Sequence, residues 1–247
     1  MPAGIDIVVP VLNEASSIDE FHARVEGLGL ADSLIFVDNG STDGTLERLA
    51  AYPHARVIRH TANLGYGASV RDGIAAESGE RIVIIDADLE YPPEAIPELL
   101  TALERSPVVY GSRFLGPGPQ DMPRTRYVGN VLLSGVYNLL FGQRTTDVYT
   151  GIKGLRRDAI DIGVLRMTGF EHGAEIALLI ALSGLRIDEI PVRFARRRSG
   201  RSKMRHAPEL LKLLFYLVSY WWRGRILGRP CFPRPVAAEQ RRGDRIR

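Results

Sequence analysis

Apolar residues in the first 112 positions fall into short β-branched runs, separated by stretches in which apolar positions recur three and four apart. Ile5–Leu12 is apolar except for Asp6 and Pro10, the pattern of a strand covered on both faces. Ala15–Leu28 places Ile18, Phe21, Val25 and Leu28 at helical spacing. Leu34–Val37 repeats the strand pattern, and Ser41–Ala51 reads as a helix capped by Ser41 or Thr42. The alternation continues with strand Arg56–Arg59, helix Gly67–Glu77, strand Ile82–Ile85, helix Pro93–Glu104 and strand Val108–Tyr110. Strands and helices joined by short connections predict an α/β fold with a mostly parallel, right-handed, doubly wound sheet. Ligands of such sheets bind outside the carboxyl ends of the strands, so the residues directly after each strand are the ones to test for chemistry.

Beyond residue 110 the rhythm changes. Gly111–Arg126, rich in Gly, Pro and Arg, reads as a long active-site loop. Helix Tyr127–Phe141, a strand near Tyr149–Leu155 and helix Glu171–Ser183 follow. Arg186–Phe194 reads as a strand that Pro191 confines to an edge or kinks. Ala195–Arg205 is a basic loop, and Pro208–Leu227 is a last helix. The organisation expected is one domain over 1–205, a C-terminal helix over 206–228 and a basic tail over 229–247. Leu213–Trp222 is apolar except for Ser219 and is bounded by Lys212 and Arg223. A membrane span needs roughly 20 apolar residues, so this helix does not cross a bilayer. Burial in the core, pairing with a second copy of the chain, and contact with a membrane surface all remain open to it.

The composition, 45% apolar and 25% charged over 247 residues, excludes collagen, disulfide scaffolds and wholesale disorder. A single cysteine, Cys231, can form no intramolecular disulfide, and no basic segment followed by a long apolar core opens the chain. A reducing, cytoplasmic setting without a signal peptide is expected. The net charge of +3 conceals a division: residues 1–192 hold 16 Lys/Arg against 26 Asp/Glu (−10), residues 193–247 hold 16 against 3 (+13). The basic part is suited to phosphates or a membrane surface. Nucleic acid is not expected, because Phe194 is the one aromatic in the Arg-rich segment and the rest of the chain is acidic.

Asp86-Ala87-Asp88 directly follows the apolar strand, and residues i and i+2 at a strand end point the same way. Two converging carboxylates repel unless a cation lies between them, and hard oxygen ligands suit Mg²⁺ or Mn²⁺ bridging a diphosphate. The alternative is a helix cap and turn. Val37–Thr45 also follows a strand; there Asp38 is assigned to ligand and the Ser41/Thr42 pair to capping. Asn13 and Glu14, after the first strand, would lie beside Asp38 if the first two strands are neighbours.

In order and spacing, Val9–Glu14, Val37–Thr45, Asn63–Ala68, Ile85–Leu89 with Pro92-Pro93-Glu94, and Gly111-Ser112-Arg113 resemble glycosyltransferase family 2 with the GT-A fold. Asp147 with Thr150-Gly151, Glu189–Val192, and Arg197 with Ser202-Lys203 resemble its dolichol-phosphate mannosyltransferase and polyprenyl-phosphate sugar transferase branch. The resemblance implies an inverting, metal-dependent transfer of sugar from a GDP- or UDP-sugar to a polyprenyl phosphate or another anionic acceptor. By position it implies that Pro10, Asn13, Glu14, Asp38 and Gly67 serve the nucleotide sugar, and that Asp86, Asp88 and Glu90 serve the metal. Arg113, Arg124 or Arg126, Lys153, Arg197, Ser202 and Lys203 would handle phosphate. Three positions depart from the pattern: Asn39 for a second Asp, Glu90 for a Gln, and Arg196 for a Glu.

The chemistry agrees with this allocation. An acceptor phosphate is already an anion and needs cations to hold it rather than a base to activate it. A sugar hydroxyl would need a base, for which Glu171 and Glu175 are the nearest candidates. A small soluble acceptor is the runner-up. A nicotinamide-binding reading of Gly65-Tyr66-Gly67 fails, because the glycine spacing does not continue and no acidic residue ends the next strand in the required place.

Overall fold

The apolar runs become strands because helices cover both faces of the sheet they form. The computed structural model describes residues 4–116, 118–119, 122–196 and 206–226. Its strands are β1 (Ile5–Val11), β2 (Leu34–Asp38), β3 (Arg56–Arg59), β4 (Arg81–Ile85), β5 (Val108–Ser112), β6 (Ile152–Arg156) and β7 (Asp188–Pro191). They form one sheet in the order β3-β2-β1-β4-β6-β5-β7, parallel except for β6, which runs antiparallel to both β4 and β5. The reversal at β6 is not visible in the apolar pattern. It places Lys153 between Ile84 and Tyr110. β7 lies at the edge, where Pro191 costs no ladder hydrogen bond.

The helices are α1 (Ile18–Gly27), α2 (Thr45–Leu49), α3 (Tyr66–Ala75), α4 (Ile96–Ala102), α5 (Arg124–Phe141), α6 (His172–Leu182) and α7 (His206–Ile226). Alternate strand residues feed two cores. Ile7, Val9, Phe36 and Val83 pack with Phe21, Leu49 and Leu99 of α1, α2 and α4. Val8, Ile35, Ile82 and Tyr110 pack with α3, α5, α6 and α7 on the other face. The result is the expected α/β architecture, a mostly parallel sheet with helices on both faces.

Three local expectations need correction. Neither Ser41 nor Thr42 caps α2; its N-cap is Gly44 at φ 89°, and the helix is only one turn and a half long. Arg124 and Arg126 are not in a loop, because α5 starts at Arg124 directly after Pro123. Pro93–Glu104 divides into a 3₁₀ turn over Pro93–Ala95 and then α4.

The last helix is neither wholly buried nor free. Leu213 and Leu217 are buried in the core, whereas Leu211, Phe215, Val218 and Trp222 form an exposed apolar stripe. On the neighbouring α5, Val128, Val131, Leu132 and Leu139 are exposed as well. No described helix is long and apolar enough to cross a membrane.

Candidate active site

A cavity of about 650 Å³ opens beyond the carboxyl ends of β1 and β4, where the strand order reverses. Pro10, Glu14, Asp86, Asp88, Glu90, Arg113, Arg126 and Lys153 line it, so the sequence reading converges on one place. The β1–β2 pairing runs past the strands, with the Asn39 amide donating to the Val11 carbonyl at 2.9 Å. Asn13, at φ 52°, donates its N–H to Ser41 Oγ (2.9 Å), and its Oδ1 accepts from the Thr42 amide (2.7 Å). Ser41 and Thr42 therefore hold the first loop. Asp43 does the work expected of them, accepting from the Thr45 and Ala15 amides (3.1 Å each). Asp38 lies behind the cavity wall, 1% exposed, and accepts from the Ser41 amide at 3.2 Å.

Asn39 is a junction. Its Oδ1 accepts from the Leu64 amide (2.9 Å) and faces His60 Nδ1 (3.1 Å), while its Nδ2 donates to Asn63 Oδ1 (2.9 Å). An amide both donates and accepts, which a carboxylate at this position could not do.

At the end of β4, the Tyr66 hydroxyl donates to Asp86 Oδ1 at 3.0 Å. Burial, reinforced by the Asp86 charge, pushes this phenol well above its ordinary pKa and keeps it a donor. Asp88 Oδ1 accepts from the Glu90 amide at 2.9 Å. Gly151 permits the crowding here: a Cβ would stand 2.6 Å from the Tyr91 ring and 2.7 Å from Asp86 Oδ2. Two aspartates at a strand end fit Mg²⁺ or Mn²⁺, ions that take one or two carboxylates and complete their shell with phosphate oxygens and water. Among the described residues no group of three acidic or histidine side chains is already gathered as a metal would need.

The opposite wall is basic and aromatic. Arg113 is buried and forms a fork with the fully buried Asp147 (Nε–Oδ2 2.6 Å, NH2–Oδ1 2.7 Å), and NH2 also donates to the Tyr149 carbonyl. Burial is the largest single influence and opposes its charge, but Asp147 together with Tyr91 and Glu90 raises the guanidinium pKa on balance. Asp147 is fixed in turn through its amide, which donates to Glu189 Oε1 at 2.9 Å. Arg126 forks onto Glu90 (2.8 and 3.2 Å). The Phe194 ring lies 5.9 Å from the Arg113 guanidinium carbon and 5.2 Å from that of Arg126, within cation–π range of both. Lys153 is buried and donates to the Thr150 carbonyl; burial pushes its pKa down to about 8 against the opposing pull of Asp86 and Asp147. Arg124 is exposed and outside the cavity wall. Arg197, Ser202 and Lys203 lie outside the described residues.

Two further expectations change. Gly67 offers no amide to a nucleotide, because its N–H donates to the Thr168 carbonyl at 2.7 Å and a Cβ would collide with Met167 and His172. The loop before α6 thus caps α3, and Glu175 pins that loop by accepting from the Arg166 and Met167 amides (2.7 and 3.0 Å). Glu171 accepts from Lys212 Nζ of α7 at 2.8 Å. Neither glutamate is placed as a general base. The wall residues Tyr66, Tyr149 and Phe170 escaped the sequence reading. Tyr66 stacks on Phe170 (5.7 Å between centroids), and the Tyr149 hydroxyl donates to the Phe170 carbonyl. For Tyr66 the available signal was its place between two glycines, Gly65 and Gly67; Tyr149 and Phe170 carried none.

Residues 6–163 match the sequence profile described as Glycosyl transferase family 2. The chain belongs to glycosyl transferase family 2. It is 29% identical to a dolichol-phosphate mannosyltransferase of Pyrococcus furiosus, over 90% of this chain and 65% of that protein, so it spans just under two thirds of that relative's length. It is also 29% identical to the undecaprenyl-phosphate mannosyltransferase of Micrococcus luteus, over 80% of this chain and 86% of the relative. Among solved structures, glucosyl-3-phosphoglycerate synthase from Mycobacterium tuberculosis, crystallised with Mn²⁺, UDP and glucosyl-3-phosphoglycerate, superposes with a TM-score of 0.67. That alignment has 22% identity and covers 90% of this chain and 79% of the other. The chain has a GT-A-like fold.

Proposed function

We propose that this glycosyltransferase moves a mannose- or glucose-type sugar from a GDP- or UDP-sugar to the phosphate of a polyprenyl phosphate, with inversion. The observation that carries this reading is the pair of guanidinium groups, Arg113 and Arg126, on one aromatic ring in the same cavity as Asp86 and Asp88. Cations opposite paired carboxylates suit a reaction between two phosphate-bearing substrates. The names of the two relatives, a dolichol-phosphate and an undecaprenyl-phosphate mannosyltransferase, support the same acceptor class.

In this mechanism a non-bridging oxygen of the acceptor phosphate attacks the anomeric carbon from the face opposite the nucleotide. The bond from that carbon to the diphosphate oxygen breaks, and its electron pair leaves with the diphosphate. Arg126 holds the attacking anion, while the buried Arg113 and Lys153 add positive charge behind the cavity wall. Mg²⁺ or Mn²⁺ at Asp86 and Asp88 would supply charge neutralisation for the leaving group. Tyr66 orients Asp86 for that role through its hydroxyl. An anionic acceptor needs no general base, which accords with Glu171 and Glu175 being committed to Lys212 and to backbone amides.

The exposed stripes of α5 and α7 would rest on the cytoplasmic face of a membrane, bringing the cavity to a lipid-borne phosphate. The test is transfer from radiolabelled GDP- and UDP-sugars, with Mg²⁺ or Mn²⁺, to polyprenyl phosphate in detergent. Label in the organic phase from one donor is expected. Donor hydrolysis without lipid labelling would instead favour a soluble phosphate-bearing acceptor.

A further inference from the structure

Two asparagines of the cavity wall, Asn39 and Asn63, are wired to a buried histidine that the mechanism leaves unused. His60 directly follows β3, and its amide donates to the Asp38 carbonyl at 2.8 Å, continuing the β2–β3 ladder. Its ring lies between two acceptors. Nδ1 faces Asn39 Oδ1 and Nε2 faces Asp72 Oδ2 of α3, each at 3.1 Å. Among the described residues, Asp72 is the charged group in contact with the ring, and Arg71, also on α3, meets its other oxygen at 3.4 Å. From β2 the contact is the Asp38 carbonyl.

The backbone decides which atom of the Asn39 amide is the oxygen. The Leu64 N–H can only donate, and it reaches Oδ1 at 2.9 Å. His60 Nδ1 must therefore carry a proton to bond the same oxygen. Asp72, as a carboxylate, accepts only, so Nε2 must carry one too. The ring satisfies both neighbours at once only as the imidazolium. The same counting extends to the ligand side. Asn39 Oδ1 accepts from Leu64 and His60, while Asn63 Oδ1 accepts from Asn39 Nδ2 (2.9 Å) and the Gly65 amide (3.0 Å). Both oxygens are filled, which leaves amide N–H groups for a ligand.

We propose that His60 is a positioning residue for the sugar donor: as the imidazolium it fixes the polarity of the Asn39–Asn63 pair, which then offers N–H groups to acceptor oxygens of the nucleotide. This inference rests on the reading of the cavity as a nucleotide-sugar site. The charge-assisted bond to Asp72 is the stronger of the two, so the proton lost on titration is that of Nδ1, and Asn39 loses its partner. Donor affinity therefore falls as pH rises through the titration of the ring.

The test measures UDP and GDP binding by calorimetry at constant Mg²⁺ across roughly pH 5 to 8. The proteins are the wild type, His60→Asn, His60→Leu and Asp72→Asn, each confirmed folded by thermal melting. Asparagine places an amide nitrogen near the position of Nδ1 and does not titrate. Affinities are compared as ratios to His60→Asn at each pH, which cancels titration of the ligand's own phosphate. The His60 ring is followed by ¹⁵N magnetic resonance, its signals assigned by their loss in His60→Asn. Wild type should match His60→Asn in acid and fall roughly three- to tenfold below it as the ring deprotonates, the scale of one hydrogen bond. Asp72→Asn should move the affinity midpoint and the ring midpoint to lower pH together, and His60→Leu should bind weakly at every pH.

A wild-type ratio that stays flat while the ring titrates would overturn the proposal, as would a ring that is neutral throughout. Wild-type affinity in His60→Leu would also overturn it, by leaving Asn39 in place without a partner at Nδ1. If neither nucleotide binds any of the proteins, the nucleotide-sugar reading itself fails and this role falls with it, an outcome distinct from binding that ignores His60.

Discussion

On the acidic side of the cavity, Pro10, Asn39, Asp86 and Asp88 stand at or within three residues of a strand end, and backbone hydrogen bonds zip their loops together. On the basic side, Arg113 and Arg126 are positioned by carboxylates 34 and 36 residues distant in the chain. The acidic side follows from sheet topology, since any parallel sheet with these strand neighbours delivers those positions to one edge. The basic side depends on charge pairs that must form in a partly or wholly water-free interior, where a missing partner is costly. The acidic wall should therefore lose chemistry when altered, whereas the buried Arg113–Asp147 pair of the basic wall should lose structure.

The largest effect tests the first half of that statement. Asp88→Ala should lower turnover by about 10³-fold or more while thermal melting stays near wild type. Wild-type turnover in that variant would remove Asp88 from the chemistry. On the basic wall, Asp147→Ala strands the buried Arg113 charge and should cost about 3–5 kcal/mol in urea unfolding. A loss below about 1 kcal/mol would mean that Arg113 is not held by the framework.

Gly151→Ala probes the boundary between the walls. Its methyl group would press on Asp86 and the Tyr91 ring, and a shift of that carboxylate should lower kcat by about 10²-fold. Unchanged kcat would show that the Asp86 position tolerates displacement. The smallest effect concerns α7, tied to the site by Glu171 and Lys212. Burial alone would raise the Glu171 pKa, but the hydrogen bond from Lys212, with help from backbone amides, leaves it below the ordinary value. The stabilisation is then complete above the usual glutamate pKa of about 4.3 and is lost as pH falls through the lowered value. Hydrogen exchange in α7 should differ between wild type and Lys212→Met at pH 7, by less than about 1 kcal/mol, and the difference should vanish in acid. A difference that persists unchanged in acid would show that the ion pair is not its cause.

Much of the fold was legible in the chain. Continuous apolar runs over Ile5–Leu12 and Ile82–Ile85 can only be strands covered twice, and Phe21, Val25 and Leu28 mark a helix on one face. Asp86 and Asp88 could be assigned to the sheet edge because their place depends on one strand ending where its apolar residues end. Arg113, Arg126 and Lys153, singled out by resemblance, line the cavity, but nothing in the sequence indicated which group each would meet. Asp38 and Gly67 had the same motif support, yet the structure turns one behind the wall and spends the other's amide on Thr168. Ser41 and Thr42 looked like helix caps because capping is local, but the partner that claimed them, Asn13, comes from another strand end.

The sequence by itself determined the alternation of strands and helices, the acidic edge of the cavity and the family. These rest on periodicity and on positions counted from a strand end, both of which are local. Only the tertiary structure decided the antiparallel course of β6, the Arg113–Asp147 and Arg126–Glu90 pairings, and the division of α7 into buried and exposed faces. Each of these depends on which distant segment arrives alongside, and a charge or an apolar side chain takes whichever partner the packed fold brings within reach.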